Sequence, residues 1–163
     1  MVLKSGRKKN DAGIETIKVK LKGKIMEFES IRNHCKLYDL SEDQILDAEK
    51  RMGIGFPRDL FDFYLEYGYG FVNNAKQAIN RLMDPQNCAD IRLREDIYEF
   101  DPDLEMYEIY EDETLLFFEI NEGVYASIGM NDGKIYFADQ VIADSLSEFL
   151  KKIVDPDYWN KAD

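Results

Sequence analysis

The residues that most often carry covalent or metal chemistry are scarce in this chain. His34 is the single histidine, and Cys35 and Cys88 are the two cysteines. His34 and Cys35 are sequence neighbours that would point to different sides of a helix, so they cannot form a nucleophile–base pair directly, although Cys88 could still approach His34 in space. A structural zinc site needs about four nitrogen or sulfur ligands, and only three candidates exist. The sequence therefore favours neither Cys–His catalysis nor a zinc site, and we expect no metal and no cofactor.

Other patterns with chemical potential are incomplete. The run Asp101-Pro102-Asp103-Leu104-Glu105 is faintly similar to a calcium loop, but it lacks the glycine turn and the bidentate glutamate. Gly68 and Gly70 follow a helical pattern and precede no Lys-Ser/Thr pair, so they indicate a helix C-cap instead of a phosphate-binding loop. Paired carboxylates could perform glycosidase-type chemistry, but none of the acidic residues is singled out as a pair. We therefore expect a binding protein and not an enzyme.

The segment from Glu95 to Gly133 is the strongest candidate site. It holds thirteen acidic residues and no lysine or arginine, and tyrosines are interleaved among them. Carboxylates raise the encounter rate with a basic partner, and aromatic side chains supply affinity once water is excluded. The alternative is a solvated acidic face with a few core tyrosines. The predicted partner-binding residues are Glu95, Asp96, Tyr98, Glu99, Asp101, Asp103, Glu105, Tyr107, Glu108, Tyr110, Glu111 and Asp112.

The net charge of −12 is unevenly distributed along the chain. Residues 1–24 carry eight Lys/Arg and two acidic residues, whereas the remainder carries thirteen basic and thirty-one acidic residues. An acidic body repels nucleic acid phosphates and anionic membranes and attracts basic partners. Acidity that serves only solubility is the alternative. The charge therefore predicts a basic protein partner, with neither direct nucleic acid binding nor membrane binding.

The sequence also predicts a cytoplasmic location. The basic start, MVLKSGRKKN, is not followed by the apolar run of a secretory signal. The longest apolar stretches, such as Leu115 to Phe118, are too short to cross a bilayer. The two cysteines match no disulfide, metal or redox spacing, which favours reduced thiols in a reducing compartment.

Local patterns in the amino-terminal half predict one strand and two well-marked helices. Alternating apolar and lysine residues over 17–22 indicate an edge strand, and a weaker pattern favours a helix over 27–37. Ser41 and Gln44 have the spacing of a capping box, and Gly53 stops the helix that follows. Pro57 suits the first position of a second helix, which ends at Gly68.

The carboxy-terminal half combines helices with an antiparallel meander. Asp84-Pro85 opens a predicted helix that runs to about residue 100. Three strand-like runs cover 114–120, 124–130 and 134–138, and the hairpin signals Asn121-Glu122-Gly123 and Asn131-Asp132-Gly133 separate them. A last amphipathic helix is predicted over 144–153. These elements predict an α+β fold in which amino-proximal helices and a carboxy-terminal helix flank an antiparallel sheet.

Two blocks of the sequence resemble the SUKH superfamily, the Smi/Knr-type immunity proteins. The first block is Ile45-x-x-Ala48-Glu49-x-x-x-Gly53-x-x-Phe56-Pro57-x-x-Leu60-x-x-Phe63-Tyr64, followed by Tyr67-Gly68-Tyr69-Gly70. The second runs from Leu116-Phe117-Phe118 through Asn131-Asp132-Gly133-Lys134-Ile135-Tyr136 to the helix start Ser145-Leu146-Ser147-Glu148-Phe149-Leu150. The resemblance covers residues 41–153. It divides the chain into a basic extension with an edge strand, residues 1–40, and a SUKH-like α+β domain, residues 41–163.

The resemblance implies an intracellular immunity protein, an antitoxin that neutralises a toxin delivered between bacteria, often a nuclease. It also implies a family that acts by binding and not by catalysis. Combined with the acidic segment, it predicts a chain that binds a basic toxin through its acidic surface. One alternative is a regulatory or scaffold module that binds other proteins through the same fold. The other is an uncharacterised hydrolase, which would require a carboxyl pair of raised pKa in a deep pocket.

Overall fold

A seven-stranded antiparallel sheet forms the centre of the computed structural model, which describes residue 28 and residues 32–72, 78–155 and 157–161. Each strand pairs with the next strand along the chain, so the order across the sheet is β1 to β7. The strands are β1 Lys36–Tyr38, β2 Tyr69–Phe71, β3 Arg81–Leu82, β4 Thr114–Asn121, β5 Val124–Gly129, β6 Ile135–Phe137 and β7 Gln140–Ala143. The predicted α+β class with an antiparallel sheet is confirmed.

Helices occupy the connections between these strands and the end of the chain. The α-helices are α1 Glu42–Met52, α2 Arg58–Tyr67, α3 Pro85–Leu93, α4 Leu146–Ile153 and α5 Tyr158–Lys161. Three 3-10 helices cover Arg32–His34, Asp96–Tyr98 and Pro102–Tyr110. No helix in the described ranges is long and apolar enough to cross a membrane.

The first two α-helices begin and end where the sequence predicts. The Ser41 side chain accepts a hydrogen bond from the Gln44 amide, and the Gln44 side chain accepts one from the Ser41 amide at 2.9 Å, which completes the capping box. Gly53 ends α1 in the left-handed conformation at φ 71°. Pro57 lies one residue before α2, and the Gly68 amide ends that helix by donating to the Tyr64 carbonyl.

Two glycines let α2 turn directly into the sheet. A Cβ on Gly68 would lie 1.7 Å from the Tyr38 carbonyl oxygen, and one on Gly70 would lie 2.2 Å from that of Lys36. Both glycines have positive φ, at 85° and 140°. The backbone at Gly68 and Gly70 can therefore lie this close to the backbone of β1 only because neither residue carries a side chain.

The core lies between the middle strands and the helices that cover them. Five consecutive residues at the start of β4 are buried, and so are five residues of β5, as expected for central strands covered on both faces. Phe149 of α4 packs edge-to-face on Phe118, with ring centroids 5.0 Å apart. Helix α1 packs chiefly on α3, whose Cys88 and Ile91 are fully buried.

Several predicted boundaries are wrong. The helix predicted to run to residue 100 ends at Leu93, because Arg94 adopts a left-handed conformation at φ 54°. The helix predicted through 37 gives way to β1, since Lys36–Tyr38 pairs with Tyr69–Phe71. Strands β1, β2, β3 and β7 are not anticipated by the sequence patterns. The predicted strand at 17–22 lies outside the described residues, and the division at residue 40 stays a prediction, although β1 precedes it.

Candidate functional site

The predicted site begins where α3 ends and consists largely of 3-10 helix. The nine residues from Pro102 to Tyr110 form one continuous 3-10 helix, although such runs rarely exceed three or four residues. Asp101 caps it, because its side chain accepts a hydrogen bond from the Asp103 amide at 3.0 Å. A 3-10 helix has three residues per turn, so side chains at i and i+3 lie above one another. The helix therefore has three distinct faces.

One face points into the core. Leu104 is fully buried, Tyr107 is buried and Tyr110 is half-buried. The Tyr107 hydroxyl accepts a hydrogen bond from the Tyr125 amide at 2.9 Å, which attaches the helix to β5. Burial raises the pKa of the Tyr107 and Tyr125 hydroxyl groups. These tyrosines stay neutral and serve the fold.

Tyr98 lies inside the molecule in the same way. It is buried, and its hydroxyl accepts a hydrogen bond from the Asn87 side-chain amide at 2.9 Å. Burial raises its pKa as well. Of the three tyrosines predicted to contact a partner, Tyr98 and Tyr107 are thus packed away from solvent, and Tyr110 keeps partial exposure.

The other two faces point to solvent and differ in chemistry. Pro102, Glu105 and Glu108 form an acidic face, and Asp103, Met106 and Ile109 form a mixed face with two large apolar side chains. A Cβ on Gly123 would meet the Asp103 carboxylate, so that side chain lies over the turn between β4 and β5. Glu99 and Asp112 flank the helix and are exposed.

Two arginines fix the ends of the acidic segment. Arg51 of α1 pairs with Asp90 at 2.6 Å and with Glu95 at 2.8 Å. Arg94, which follows α3, pairs with Glu111. Glu95 and Glu111 are therefore engaged within the chain and position the segment. The exposed carboxylates of Asp96, Glu99, Glu105, Glu108 and Asp112 have no ion pair with any described residue.

Four large apolar side chains of this segment are exposed, and the charge pattern did not reveal them. Their exposed fractions are 77% for Ile97, 86% for Phe100, 51% for Met106 and 79% for Ile109. The six other large apolar residues exposed in the described ranges reach at most 47%. A period of three, applied to residues 102–110, would have separated Met106 and Ile109 from the buried face.

A cleft of about 440 Å³ lies beside Ile109. Glu113, Asp132 and Asp139 contribute carboxylates to its lining, and Tyr110 and Tyr136 contribute aromatic rings. The Asp132 carboxylate accepts hydrogen bonds from the Tyr136 hydroxyl at 2.5 Å and from the Lys134 amide at 2.9 Å. The Tyr136 hydroxyl is the main cause of the lowered pKa of Asp132, which keeps this wall of the cleft anionic.

The cysteines lie in surroundings that suppress their reactivity. Cys88 is fully buried with its sulfur 3.4 Å from the Tyr64 hydroxyl, and burial raises its pKa to about 12. Cys35 donates to the Val72 carbonyl, and burial raises its pKa to about 11. Both thiols are protonated near neutral pH, and the thiolate is the nucleophilic form. Among the described residues, no group of three or more His, Cys, Asp or Glu could hold a metal ion.

Comparison with known proteins matches this chain to one family over most of its length. The family model of the SMI1/KNR4 family (SUKH-1) matches residues 39–152. The chain is 41% identical over 125 residues to a protein named "Immunity protein YxxD" from Bacillus subtilis (strain 168), a match that covers 75% of this chain and 85% of the relative. No solved structure matches. The family match includes α1 to α3, the acidic segment and the central strands described above, and the chain belongs to the SMI1/KNR4 family (SUKH-1).

Proposed function

We propose that this chain is an immunity protein that binds a bacterial toxin and neutralises it. The similarity to a protein named as an immunity protein supports this role. The observation that carries the site is the acidic segment 95–112, which holds no lysine or arginine and turns Glu99, Glu105, Glu108 and Asp112 to solvent. The chain acts by binding and not by catalysis, in the cytoplasm, where an incoming toxin would act.

A basic toxin is the partner that this surface favours. A field of like charges attracts the opposite charge from a distance and raises the association rate. A toxin that cleaves nucleic acid needs a cationic surface for the phosphate backbone. Carboxylates that occupy such a surface exclude the substrate, so one contact provides both recognition and inhibition. A nuclease is therefore the toxin class that we propose.

Two carboxyl groups of the described residues have a lowered pKa, which is the opposite of what the hydrolase alternative requires. The pKa of Asp132 is lowered mainly by the Tyr136 hydroxyl, and that of Glu148 mainly by the Asp144 amide. A general acid needs a carboxyl group whose pKa is raised towards neutrality. Binding is therefore the function that the geometry supports best.

The test is neutralisation of the protein encoded by the adjacent gene. That protein is expressed in bacteria with and without this chain, and growth and complex formation are measured. We expect growth arrest in the absence of this chain, rescue in its presence, and a stable complex of the two purified proteins. An adjacent product that does not arrest growth, or whose toxicity this chain leaves unchanged, would contradict the proposed function.

Charge reversal locates the contact surface. Replacing Glu99, Glu105 and Glu108 by lysine should weaken binding at least a hundredfold, because attraction becomes repulsion at the interface. The matched control replaces three exposed acidic residues elsewhere by lysine, and they are Asp39, Glu66 and Asp157. Both variants change the net charge by the same amount. Equal losses of affinity would show that total charge matters and that the acidic segment is not the contact.

A further inference from the structure

The exposed apolar residues of the acidic segment are unusual for a surface dominated by carboxylates. Ile97, Phe100, Met106 and Ile109 occur within thirteen residues of sequence, and each has half or more of its surface in water. Single exposed apolar residues are normal, whereas exposed apolar side chains that lie side by side on the surface mark interaction sites. These four residues therefore indicate a surface that binds a partner.

The three-residue period of the helix brings two of these side chains together. Met106 and Ile109 are one 3-10 turn apart on the same outward face, and Glu105 and Glu108 occupy the adjacent face. Tyr107 holds the helix against β5 through its hydroxyl, so neither apolar residue can turn inward without breaking that hydrogen bond. The apolar side chains are thus presented to solvent by the packing of the fold.

We propose that Ile97, Phe100, Met106 and Ile109 are the anchors that hold the partner on the acidic surface. The partner is a protein whose contact face carries an apolar patch framed by lysine and arginine side chains. This inference rests on the proposed function and extends it from charge attraction to the source of affinity. Interface energy is concentrated in a few large side chains that lose their water, whereas rim charges act mainly on the association rate.

Charge complementarity argues for a basic partner over a second copy of this chain. A symmetric dimer through this face would place the same patch against itself. Glu99, Glu105, Glu108 and Asp112 would then face their own copies, with no lysine or arginine between Glu95 and Gly133 to compensate. Like charges in such contacts cost binding energy. The same repulsion excludes nucleic acid and anionic membrane surfaces.

The cleft beside Ile109 is also complementary to a basic partner with an apolar patch. Its walls carry the carboxylates of Glu113, Asp132 and Asp139 next to the apolar anchor. A lysine or arginine from the partner can enter it while an apolar neighbour covers Ile109. The exposed apolar side chains and the acidic cleft therefore fit one partner surface of mixed chemistry.

The experiment separates apolar anchoring from charge attraction. The probe is the growth-inhibiting protein encoded by the adjacent gene, and its dissociation constant is measured at about 0.05 M and about 0.5 M NaCl, between which the screening length falls about threefold. Replacing Met106 and Ile109 by serine should weaken binding about a hundredfold or more at both salt concentrations. The control replaces Leu46 and Leu65, each 46% exposed, by serine and should change the constant by less than about threefold.

Three further measurements make the outcome decisive. A photo-crosslinking side chain at Phe100 or Ile109 should capture the toxin, and the same group at Leu46 should not. Thermal melting of each variant checks that the fold is retained. Sedimentation of the chain alone shows whether the serine variant changes self-association.

The results distinguish this inference from the proposed function. If the unmodified chain binds the toxin and the serine variant binds equally well, the anchors are wrong and the proposed function stands. If the serine variant loses self-association and keeps toxin binding, Met106 and Ile109 form a contact between copies of this chain, and the inference is overturned. If the unmodified chain fails to bind the toxin, the proposed function itself fails.

Discussion

The hydrogen bond between Tyr136 and Asp132 fixes a charge at the rim of the acidic cleft. The hydroxyl donates to the carboxylate at 2.5 Å and holds the pKa of Asp132 below its ordinary value. A lowered carboxyl pKa stabilises the fold above the pKa of the unfolded chain, about 3.9, and this stabilisation is lost as the pH falls through the lower pKa of the folded state. The contribution is therefore complete at neutral pH.

Replacing Tyr136 by phenylalanine should raise the pKa of Asp132 towards its ordinary value. The variant should also have a lower urea midpoint at pH 7, and this difference should shrink below about pH 4, where Asp132 is protonated in the unfolded chain. Carboxyl chemical shifts followed by NMR from neutral to acid pH measure the pKa. The control is Tyr38→Phe, which removes a half-exposed hydroxyl from β1. An unchanged Asp132 titration in Tyr136→Phe would refute this cause.

At the scale of residues, the sequence predicts the composition of the site but not the direction of its side chains. The carboxylates of Glu105 and Glu108 face solvent as an acidic contact surface requires. Tyr98 and Tyr107 also carry a polar group, but their hydroxyl groups form hydrogen bonds inside the fold. The direction of each side chain depends on a 3-10 period of three residues, whereas the sequence patterns considered have the periods of α-helices and strands. Residue type alone could therefore not separate the outward side chains from the core.

Among the elements, the junction between α2 and β2 is the most constrained. Gly68 combines φ 85° with ψ −143°, a conformation that is essentially restricted to glycine, and a Cβ there would overlap the Tyr38 carbonyl. Gly53 at the end of α1 also has positive φ, but a Cβ there would meet nothing within 4 Å. The two helix ends therefore differ in the room available for a side chain as well as in their dihedral angles.

Replacing Gly68 by alanine should reduce the free energy of unfolding by about 3 kcal/mol or more, because strain and overlap add. Gly53→Ala, the matched control, should cost about 1 to 2 kcal/mol from the left-handed conformation alone. Urea unfolding followed by circular dichroism measures both. Equal losses in the two variants would mean that the overlap with β1 is relieved without cost.

The elements that the sequence predicts well are those with a local signature. The capping box at Ser41 and the turn at Gly123 fix their neighbours through contacts within a few residues. Strands β1, β2 and β3 have two or three residues each and no usable periodicity, so only their partners across the sheet define them. Arg94 ends α3 in a conformation that arginine rarely adopts, and no sequence rule anticipates that choice.

For the whole molecule, the excess of acidic residues destabilises the folded state, because like charges repel one another there. The same excess attracts a basic partner. A net charge of −12 repels itself when the chain folds, and dissolved salt screens that repulsion over about 10 Å at 0.1 M. Ion pairs such as Arg81–Glu119, at 3.0 Å, are weakened by the same screening. The excess of 33 acidic over 21 basic residues in the sequence decides the sign.

The melting temperature should therefore rise by a few degrees, about 2 to 5 °C, as NaCl is raised from low to moderate concentration. The variant with Asp39, Glu66 and Asp157 replaced by lysine has a smaller net charge and should show a smaller rise. Differential scanning calorimetry measures both. A melting temperature that falls with salt would show that ion pairs outweigh the general repulsion.

The division of the Pro102–Tyr110 helix into three faces has a consequence for how such a protein can change over evolution. Only the face with Leu104 and Tyr107 is committed to the core, so substitutions on the other two faces cost the fold little. If the toxin binds at this segment as proposed, binding specificity and stability are encoded by different residues of one short element. A lineage meeting a new toxin could retarget this surface by exchanging outward residues such as Met106, Glu108 and Ile109, while the seven-stranded scaffold beneath them stays the same.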